Sequence, residues 1–297
     1  MCGKQAKQGF ARFVGPPPTG KRQLHHLDEN RLKGFLTINK PVRIGFLATR
    51  RIDAAHCLCL SVCRMVARMC GRVYVKRSIS EMVAKFPFAD PAAAFSLSNQ
   101  FPRFNGAPQQ NYPIIVVDEV ERGTAGFASA RWGFRPHWMK KPGDGPMPIN
   151  AKCETVATSK MFGSAYRSRR ALLPIDGFFE WHDILSTGKN KQPYAIAMRD
   201  GSPFALAAIW QDWRDSATGD VIKTFAIVTC TPNDMVGQIH DRMPVIIAPE
   251  NYEKWLFSGD PANLMRPYPA ELMTMWKIDR QVGKVSNDTP DIIDPIE

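Results

Sequence analysis

The sequence predicts an α+β domain whose core is an antiparallel, barrel-like β-sheet with a few flanking helices. Short segments rich in Val, Ile, Phe and Thr recur between residues 72 and 247, and Gly-, Pro- or Asn-containing stretches separate them. This pattern is typical of an antiparallel sheet with short connections. Only two or three segments carry apolar residues at helical spacing. A chain of 297 residues is long enough to bury a large core.

Eight strands are predicted, and in chain order they span residues 72–75, 114–117, 126–134, 171–173, 194–198, 204–210, 221–230 and 245–247. The dipeptide Asp200-Gly201 lies between the fifth and sixth of these segments, so they are predicted to form a hairpin with a glycine turn. Residues 103–108 read Arg-Phe-Asn-Gly-Ala-Pro, a composition that predicts a turn-forming loop.

The clearest helix signal follows Ser78. Ser78 and Glu81 have the spacing of a capping box, and the apolar residues that follow recur at helical spacing until Pro87 ends the helix. A second helical stretch is predicted through Phe162 and Tyr166, and residues 249–257 predict a short third helix.

Charge divides the chain at about residue 68. Residues 1–68 contain thirteen Lys and Arg residues but only three acidic residues, which accounts for most of the formal net charge of +11. The remainder is close to neutral, so a nucleic-acid surface there would be a local patch. We interpret residues 1–68 as a disordered basic leader or a translated upstream extension, with residues 69–297 as the domain and Met69 as the functional start.

The cysteines and apolar runs indicate the compartment. The seven Cys residues lack the regular spacing of a disulfide-bonded scaffold, which favours free thiols in a reducing cytoplasm. No apolar run approaches the roughly 18 residues of a membrane helix. A cluster of possible metal ligands comprises His56, Cys57, Cys59 and Cys63, but it lacks the paired Cys-x-x-Cys motifs of a zinc site. We expect no metal, no cofactor and no membrane association, and nothing in the sequence suggests an obligate partner, so a monomer is expected.

Met69-Cys70-Gly71 reads like the start of a protein although it lies well inside the sequence. Removal of the Met would leave Cys70 with a free α-amine beside its thiol, a 1,2-aminothiol. Such a pair can condense with an aldehyde to an imine and then close through sulfur to a thiazolidine. The alternative is an ordinary cysteine in the first strand of the domain.

Three further positions have both a structural and a chemical interpretation. Glu180 stands between Phe179 and Trp181, as either an edge residue or a partly buried acid with a raised pKa. His240 is either a structural residue whose ring nitrogens are hydrogen-bonded or an acid/base group. Trp138 ends the Arg-Pro-His-Trp segment after the third strand and belongs either to a packed corner or to a base-stacking platform.

From Met69 onward the chain resembles the SRAP family, the SOS-response-associated peptidases or abasic-site processing proteins. The matching blocks occur in family order and extend to about residue 287. They are Met69-Cys70-Gly71-Arg72, Arg103-Phe104-Asn105 with Ala107-Pro108, Trp132-Gly133 with Pro136 and Trp138, Ile149-Asn150-Ala151 with Glu154-Thr155, Phe179-Glu180-Trp181, and His240-Asp241-Arg242-Met243-Pro244.

The resemblance implies a protein of the DNA damage response that captures abasic sites in single-stranded DNA as a covalent cross-link through the mature amino terminus of Cys70. By the same resemblance Asn150 holds that amino terminus, Glu180 is the acid/base group, and His240 acts on the imine and on release of the link. Arg72, Trp138, Lys152 and Arg242 are the candidate DNA contacts. Lys152 replaces a family Arg, so a bidentate contact there is lost.

Two other functions remain open at this stage. A thiol peptidase could use Cys70 as nucleophile and His240 as base, acting on its own leader. A non-catalytic single-strand binder could use Arg72, Trp138 and Lys152, and would bind intact and abasic DNA equally with a steep salt dependence.

Overall fold

The computed structural model describes residues 70–117, 123–141 and 143–297. The predicted basic leader, the proposed start at Met69 and the cysteine and histidine cluster between residues 56 and 63 all lie outside the described residues. None of the described helices is long and apolar enough to cross a membrane.

Strands dominate the described residues. They are β1 (Val73–Val75), β2 (Ala89–Asp90), β3 (Arg103–Gly106), β4 (Asn111–Val117), β5 (Ala125–Trp132), β6 (Asn150–Lys152), β7 (Arg170–Ile175), β8 (Gly177–His182), β9 (Gln192–Met198), β10 (Phe204–Arg214), β11 (Val221–Cys230), β12 (Met243–Pro244), β13 (Ile246–Ile247) and β14 (Met273–Lys277). The α-helices are α1 (Ile79–Val83), α2 (Cys153–Val156), α3 (Gly163–Ser168) and α4 (Tyr252–Phe257). Each predicted strand overlaps an observed one.

Five strands close into a barrel, which confirms the predicted fold class. Strands β11, β10, β7, β4 and β5 pair in that order, and a parallel contact between β5 and β11 closes the ring at Thr224↔Arg131 and Phe225↔Trp132. The other pairs of the ring are antiparallel. Strand β10 is buried along its first seven residues, so both of its faces are covered there, because successive side chains point to opposite faces.

A second sheet of five antiparallel strands has the order β14-β9-β8-β1-β3. Its strand β1 pairs with β8 through Val73↔Phe178 and Tyr74↔Gly177. A Cβ at Gly177 would lie 2.3 Å from the Tyr74 ring, so glycine is required there by the close approach of the two strands.

The predicted hairpin around Asp200-Gly201 is wrong. Strand β9 pairs with β8 and β14, whereas β10 pairs with β7 and β11. Both edges of β9 are already occupied, so β10 cannot join it. The turn at Gly201, whose φ is +71°, instead carries the chain from the second sheet into the barrel.

The predicted loop at residues 103–108 is also wrong, because Arg103–Gly106 form strand β3, which pairs with β1. The polar side chains that suggested a turn are buried and have partners. The Arg103 guanidinium lies over the rings of Phe101 and Tyr112. The Asn105 amide donates to three backbone carbonyls of the C-terminal segment.

The predicted helices are present, with shorter bounds. Helix α1 begins after the capping box of Ser78 and Glu81 and is C-capped by Ala84. Helix α3 covers Tyr166, and the stretch at residues 249–257 forms a 3-10 turn followed by α4. These helices cover the core, since Ile79, Met82 and Trp255 are buried.

The C-terminal segment, residues 279–293, lies against the second sheet. Its Val282 and Ile292 form a small apolar cluster with Tyr74 and Phe179. Asp288 accepts hydrogen bonds from the backbone N–H groups of residues 104 and 105 at 2.6 and 2.7 Å. The segment therefore anchors strand β3, and through it the neighbouring strand β1.

Candidate active site

Cys70 lies at the start of the described chain, three residues before β1, and is 1% exposed. Its backbone N–H donates to Glu180 Oε1 at 2.6 Å. Its φ of +28° lies in the left-handed region, which is unfavourable for a residue with a side chain. Burial, followed by the nearby Glu180, raises the pKa of the Cys70 thiol well above its ordinary value, so the sulfur is held as a thiol rather than a thiolate at neutral pH.

Glu180 is carried by β8 and is 1% exposed. Its pairing with Tyr194 fixes its place on the strand, while the bond from Phe179 N–H to Arg72 O at 3.0 Å fixes β8 against the chain leading into β1. Burial raises its pKa from 4.5 to about 8, although hydrogen bonds from the backbone N–H groups of Cys70 and Trp181 oppose the shift. The carboxyl is therefore mostly protonated at neutral pH and can donate a proton.

Asn150 reaches Cys70 from the barrel side. It opens the short strand β6, which pairs in parallel with β11 through Ile227↔Asn150. The Asn150 side-chain amide donates to the Cys70 carbonyl at 3.4 Å. This contact holds the residue that carries the candidate amine.

His240 lies beside Glu180, with 3.9 Å between His240 Nε2 and Glu180 Oε2. Burial lowers the pKa of His240, so the imidazole is neutral at pH 7. Nδ1 lies 3.0 Å from the backbone N–H of Arg242 and 3.1 Å from its carbonyl oxygen, so the loop holds this side of the ring while Nε2 points towards Glu180.

Glu180, His240 and Gly71, the residue after Cys70, line a cavity of about 780 Å³. Its lining also includes Arg72, Pro108, Ile149, Trp181, Lys191 and Val285. The cavity thus joins a buried acid, a neutral imidazole and the start of the domain, the parts needed to condense an amine with a carbonyl compound.

The four predicted DNA contacts are placed differently from one another. Arg72 lines the cavity, but its guanidinium donates to Asn105 Oδ1 at 2.7 Å and to the carbonyls of Val282 and Gly283 at 2.5 and 3.1 Å. Arg242 donates to Glu154 at 2.9 Å and to the Thr229 carbonyl at 2.8 Å. Both arginines therefore have structural partners already.

Lys152 and Trp138 are exposed. Lys152 directly precedes α2 and follows Asn150 on β6. Trp138 is 49% exposed, whereas Arg135, in the same segment, is buried with its guanidinium 4.3 Å from the centre of the Trp213 ring. The segment is therefore a packed corner at Arg135 and an exposed aromatic surface at Trp138.

Sequence reasoning missed Lys191, which lines the cavity. It also missed the C-terminal segment that holds Arg72. Lys191 stands in the run Lys189-Asn190-Lys191, which looks like a solvated turn, and no local signal relates it to Glu180. Asn105 was noted only as part of a motif, although its burial with a full set of partners is what fixes the cavity wall.

Comparison with known proteins gives one consistent result. The sequence model of the SOS response associated peptidase (SRAP) family matches residues 69–285. The chain is 31% identical over 232 residues to the abasic site processing protein YoqW of Bacillus subtilis, covering 76% of this chain and 99% of that protein. It is 36% identical over 171 residues to the abasic site processing protein YedK of Escherichia coli, covering 56% and 73%.

Solved structures are similar as well. A crystal structure of a protein from Bacteroides thetaiotaomicron superposes with a TM-score of 0.68 at 26% identity, covering 77% of this chain and all of that one. A phage-related protein from Bordetella bronchiseptica gives a TM-score of 0.54 at 29% identity, covering 75% of this chain and all of that one. The similarity therefore extends over the domain and not only over its motifs.

Proposed function

The chain belongs to the SOS response associated peptidase (SRAP) family, and from this premise we propose that it captures abasic sites in single-stranded DNA as a thiazolidine formed by Cys70. Relatives at 31% and 36% identity are abasic site processing proteins by name. The observation that carries the proposal is the 2.6 Å contact between the Cys70 nitrogen and Glu180, a carboxyl whose pKa is raised to about 8.

The chemistry begins with the aldehyde at C1′ of the ring-opened abasic sugar. The Cys70 amine adds to this carbon and gives a carbinolamine. Glu180 donates its proton to the departing hydroxyl, water leaves, and an imine forms. The ionised Glu180 then takes the proton of the Cys70 thiol, and the sulfur bonds to C1′ of the protonated imine, which closes the five-membered ring and regenerates the acid. The net reaction joins an aldehyde and an aminothiol with loss of one water, and no oxidant or reductant is needed.

The environment of each group suits this order of steps. The Cys70 thiol has a raised pKa, so the amine is expected to attack first and sulfur second. His240 is neutral and lies beside Glu180, where it can take up a proton at the imine stage and return it during release. Asn150 holds the Cys70 carbonyl and so orients the amine.

The reaction requires a primary amine at Cys70, because an amide nitrogen in the same position cannot form an imine. The test therefore uses a chain whose first residue is Cys70, incubated with single-stranded DNA that carries one abasic site. We expect a heat-stable adduct on a denaturing gel, and none with intact DNA of the same sequence.

Two variants separate the amine from the thiol. Cys70→Ser keeps the amine but loses the sulfur, so it should give an adduct only when borohydride reduces the imine. A chain that begins at Met69, and that intact mass shows to keep this residue, lacks the aminothiol and should give no thiazolidine. Failure of the Cys70 chain to form an adduct, or equal affinity for intact and abasic DNA without a covalent product, would contradict the proposal and favour a simple single-strand binder.

A second candidate activity is hydrolysis of the bond between residues 69 and 70, and two observations at Cys70 favour it. Its backbone has a left-handed φ, and its amide nitrogen contacts a carboxyl that is protonated at neutral pH. Attack of the thiol on the carbonyl of residue 69 would form a thioester. Glu180 would protonate the departing nitrogen, and water would then hydrolyse the thioester.

Intact mass measured over time on the full chain tests this cleavage. We expect slow appearance of a product that starts at Cys70, no product from Cys70→Ala, and slower cleavage in Glu180→Gln. A full chain that keeps its mass, both alone and with abasic DNA, would contradict self-cleavage and leave the cross-linking proposal untouched.

A further inference from the structure

The cavity in front of Glu180 is lined by two formal cations among the described residues, Arg72 and Lys191. DNA that enters it brings one negative charge per phosphate, which basic side chains have to balance. Arg72 donates to Asn105 and to two backbone carbonyls of the C-terminal segment. Three of its five N–H donors therefore hold the cavity wall.

Lys191 is held much more loosely. It directly precedes β9, in the loop that connects β8 to β9, next to the pair His182↔Gln192. Its ammonium lies 4.0 Å from Asp183 Oδ2, and both side chains are partly exposed, at 33% and 25%. An ion pair of this length at the surface contributes little to stability, so the ammonium can exchange Asp183 for another anion.

The charge of Lys191 also acts on the reacting groups. Burial is the main influence on both neighbours, raising the pKa of Glu180 and lowering that of His240, and Lys191 lowers both pKa values by a smaller amount. The ammonium is therefore near the place where the sugar would react. Of the other cations predicted to contact DNA, Arg242 pairs with Glu154, and neither Arg242 nor Lys152 lines this cavity.

We propose that Lys191 is a DNA-binding residue of this site, whose ammonium pairs with the phosphate that flanks the abasic sugar while the sugar lies against Cys70 and Glu180. The inference rests on the proposed function, since it assumes that an abasic strand occupies the cavity. A charge-assisted hydrogen bond from the ammonium to a phosphate oxygen replaces the long contact with Asp183. Lys191 thereby positions the sugar and takes no part in bond making.

The test compares Lys191→Met with the wild-type sequence, in chains that begin at Cys70. Lys189→Met is the matched control, because Lys189 is exposed in the same loop and does not line the cavity. Initial rates of adduct formation are measured against the concentration of abasic single-stranded DNA at several KCl concentrations. Thermal unfolding shows that each variant is folded, and Lys191→Arg keeps the charge.

We expect Lys191→Met to raise the half-saturating DNA concentration by roughly tenfold at low salt and to reduce the slope of log affinity against log salt by about 0.7, the value for one phosphate contact on a single strand. The rate at saturating DNA should change less than twofold. Lys191→Arg and Lys189→Met should both resemble the wild type.

An unchanged salt slope in Lys191→Met, or an equal effect in Lys189→Met, would overturn the inference. So would a shifted pH optimum with an unchanged slope, which would mean that Lys191 acts only on Glu180 and His240. Failure of the wild-type chain to form any adduct would instead refute the proposed function. The two failures are therefore distinguishable in one series of experiments.

Discussion

Replacement of Glu180 by Gln should stabilise the folded protein at neutral and alkaline pH while it removes the proposed acid. The pKa of Glu180 is raised from 4.5 to about 8, with burial as the main cause. Between these two pH values the folded state keeps a proton that the unfolded state has lost. Stability therefore falls as pH rises through this window.

The size of the effect follows from the linkage relation. Each pKa unit corresponds to about 1.4 kcal/mol, so the buried acid costs about 3 kcal/mol at pH 7 and about 5 kcal/mol above pH 8. Relative to alkaline pH, the stability that protonated Glu180 contributes is fully present below pH 4.5 and is lost as pH rises through about 8. A Gln side chain does not titrate, and its carbonyl oxygen can still accept from the Cys70 N–H.

The assay is urea unfolding at pH 5, 7 and 9 on the full chain, in which the Cys70 nitrogen is an amide and does not titrate. The difference in unfolding free energy between Glu180→Gln and the wild type should grow by several kcal/mol from pH 5 to pH 9. The test is the change of this difference with pH, because a difference in unfolding free energy that is the same at every pH reports only the new contacts of the Gln amide.

Glu154→Gln is a control, because the pKa of Glu154 is shifted in the opposite direction to that of Glu180. A side-chain hydrogen bond from Arg242 is the main cause that lowers the Glu154 pKa to about 2, so its stabilisation is present above pH 4.5 and is lost as pH falls through about 2. Because the Glu154 side chain is 47% exposed, its loss should cost no more than about 1 kcal/mol, and the difference should be flat from pH 5 to 9. Parallel pH profiles for Glu180→Gln and the wild type would refute the reasoning.

Three other predictions concern the strand contact, the cavity wall and the reaction. Gly177→Ala should destabilise the fold by about 2 kcal/mol or more in urea unfolding, because its Cβ would overlap the Tyr74 ring. Asn105→Ala should cost about 2–3 kcal/mol and make the C-terminal segment more sensitive to protease, since three carbonyls lose their donor. Single-turnover adduct formation by a chain that begins at Cys70 should slow above about pH 8, where Glu180 loses its proton, and Glu180→Gln should be about 10²–10⁴-fold slower without that alkaline limb.

Local sequence signals predicted the elements better than their pairing. The capping box at Ser78 specified where α1 begins because its partners are three residues apart. The alternating and apolar runs located the long strands for the same local reason. By contrast, whether β9 pairs with β10 depends on β8 and β14, which approach from elsewhere in the chain, and a glycine turn carries no information about them.

The candidate site shows the same limit. Ordered motifs pointed to Cys70, Asn150, Glu180 and His240, and the structure brings these four together. Lys191 has no such signal, because it occupies a polar hairpin end whose composition matches any solvated turn. Asn105 looked like a turn residue for a similar reason. Its burial follows from the C-terminal segment, whose short 3-10 turns have no periodicity that a sequence pattern could reveal.

The raised pKa of Glu180 depends on contributions from both sheets. The β1–β8 pairing of the second sheet sets Glu180 against Cys70, while Asn150 and His240 come from segments that pair with or flank barrel strand β11. The chain crosses directly from barrel strand β7 to β8 at Asp176, which ion-pairs with Arg77 and accepts from the Lys76 N–H at 2.9 Å. Without the segments from the barrel side, the face of the second sheet that carries Glu180 would be open to water, where a carboxyl keeps its ordinary pKa and is ionised at neutral pH. Any change that separates the two sheets at Asp176 should therefore abolish proton donation by Glu180 before it unfolds either sheet.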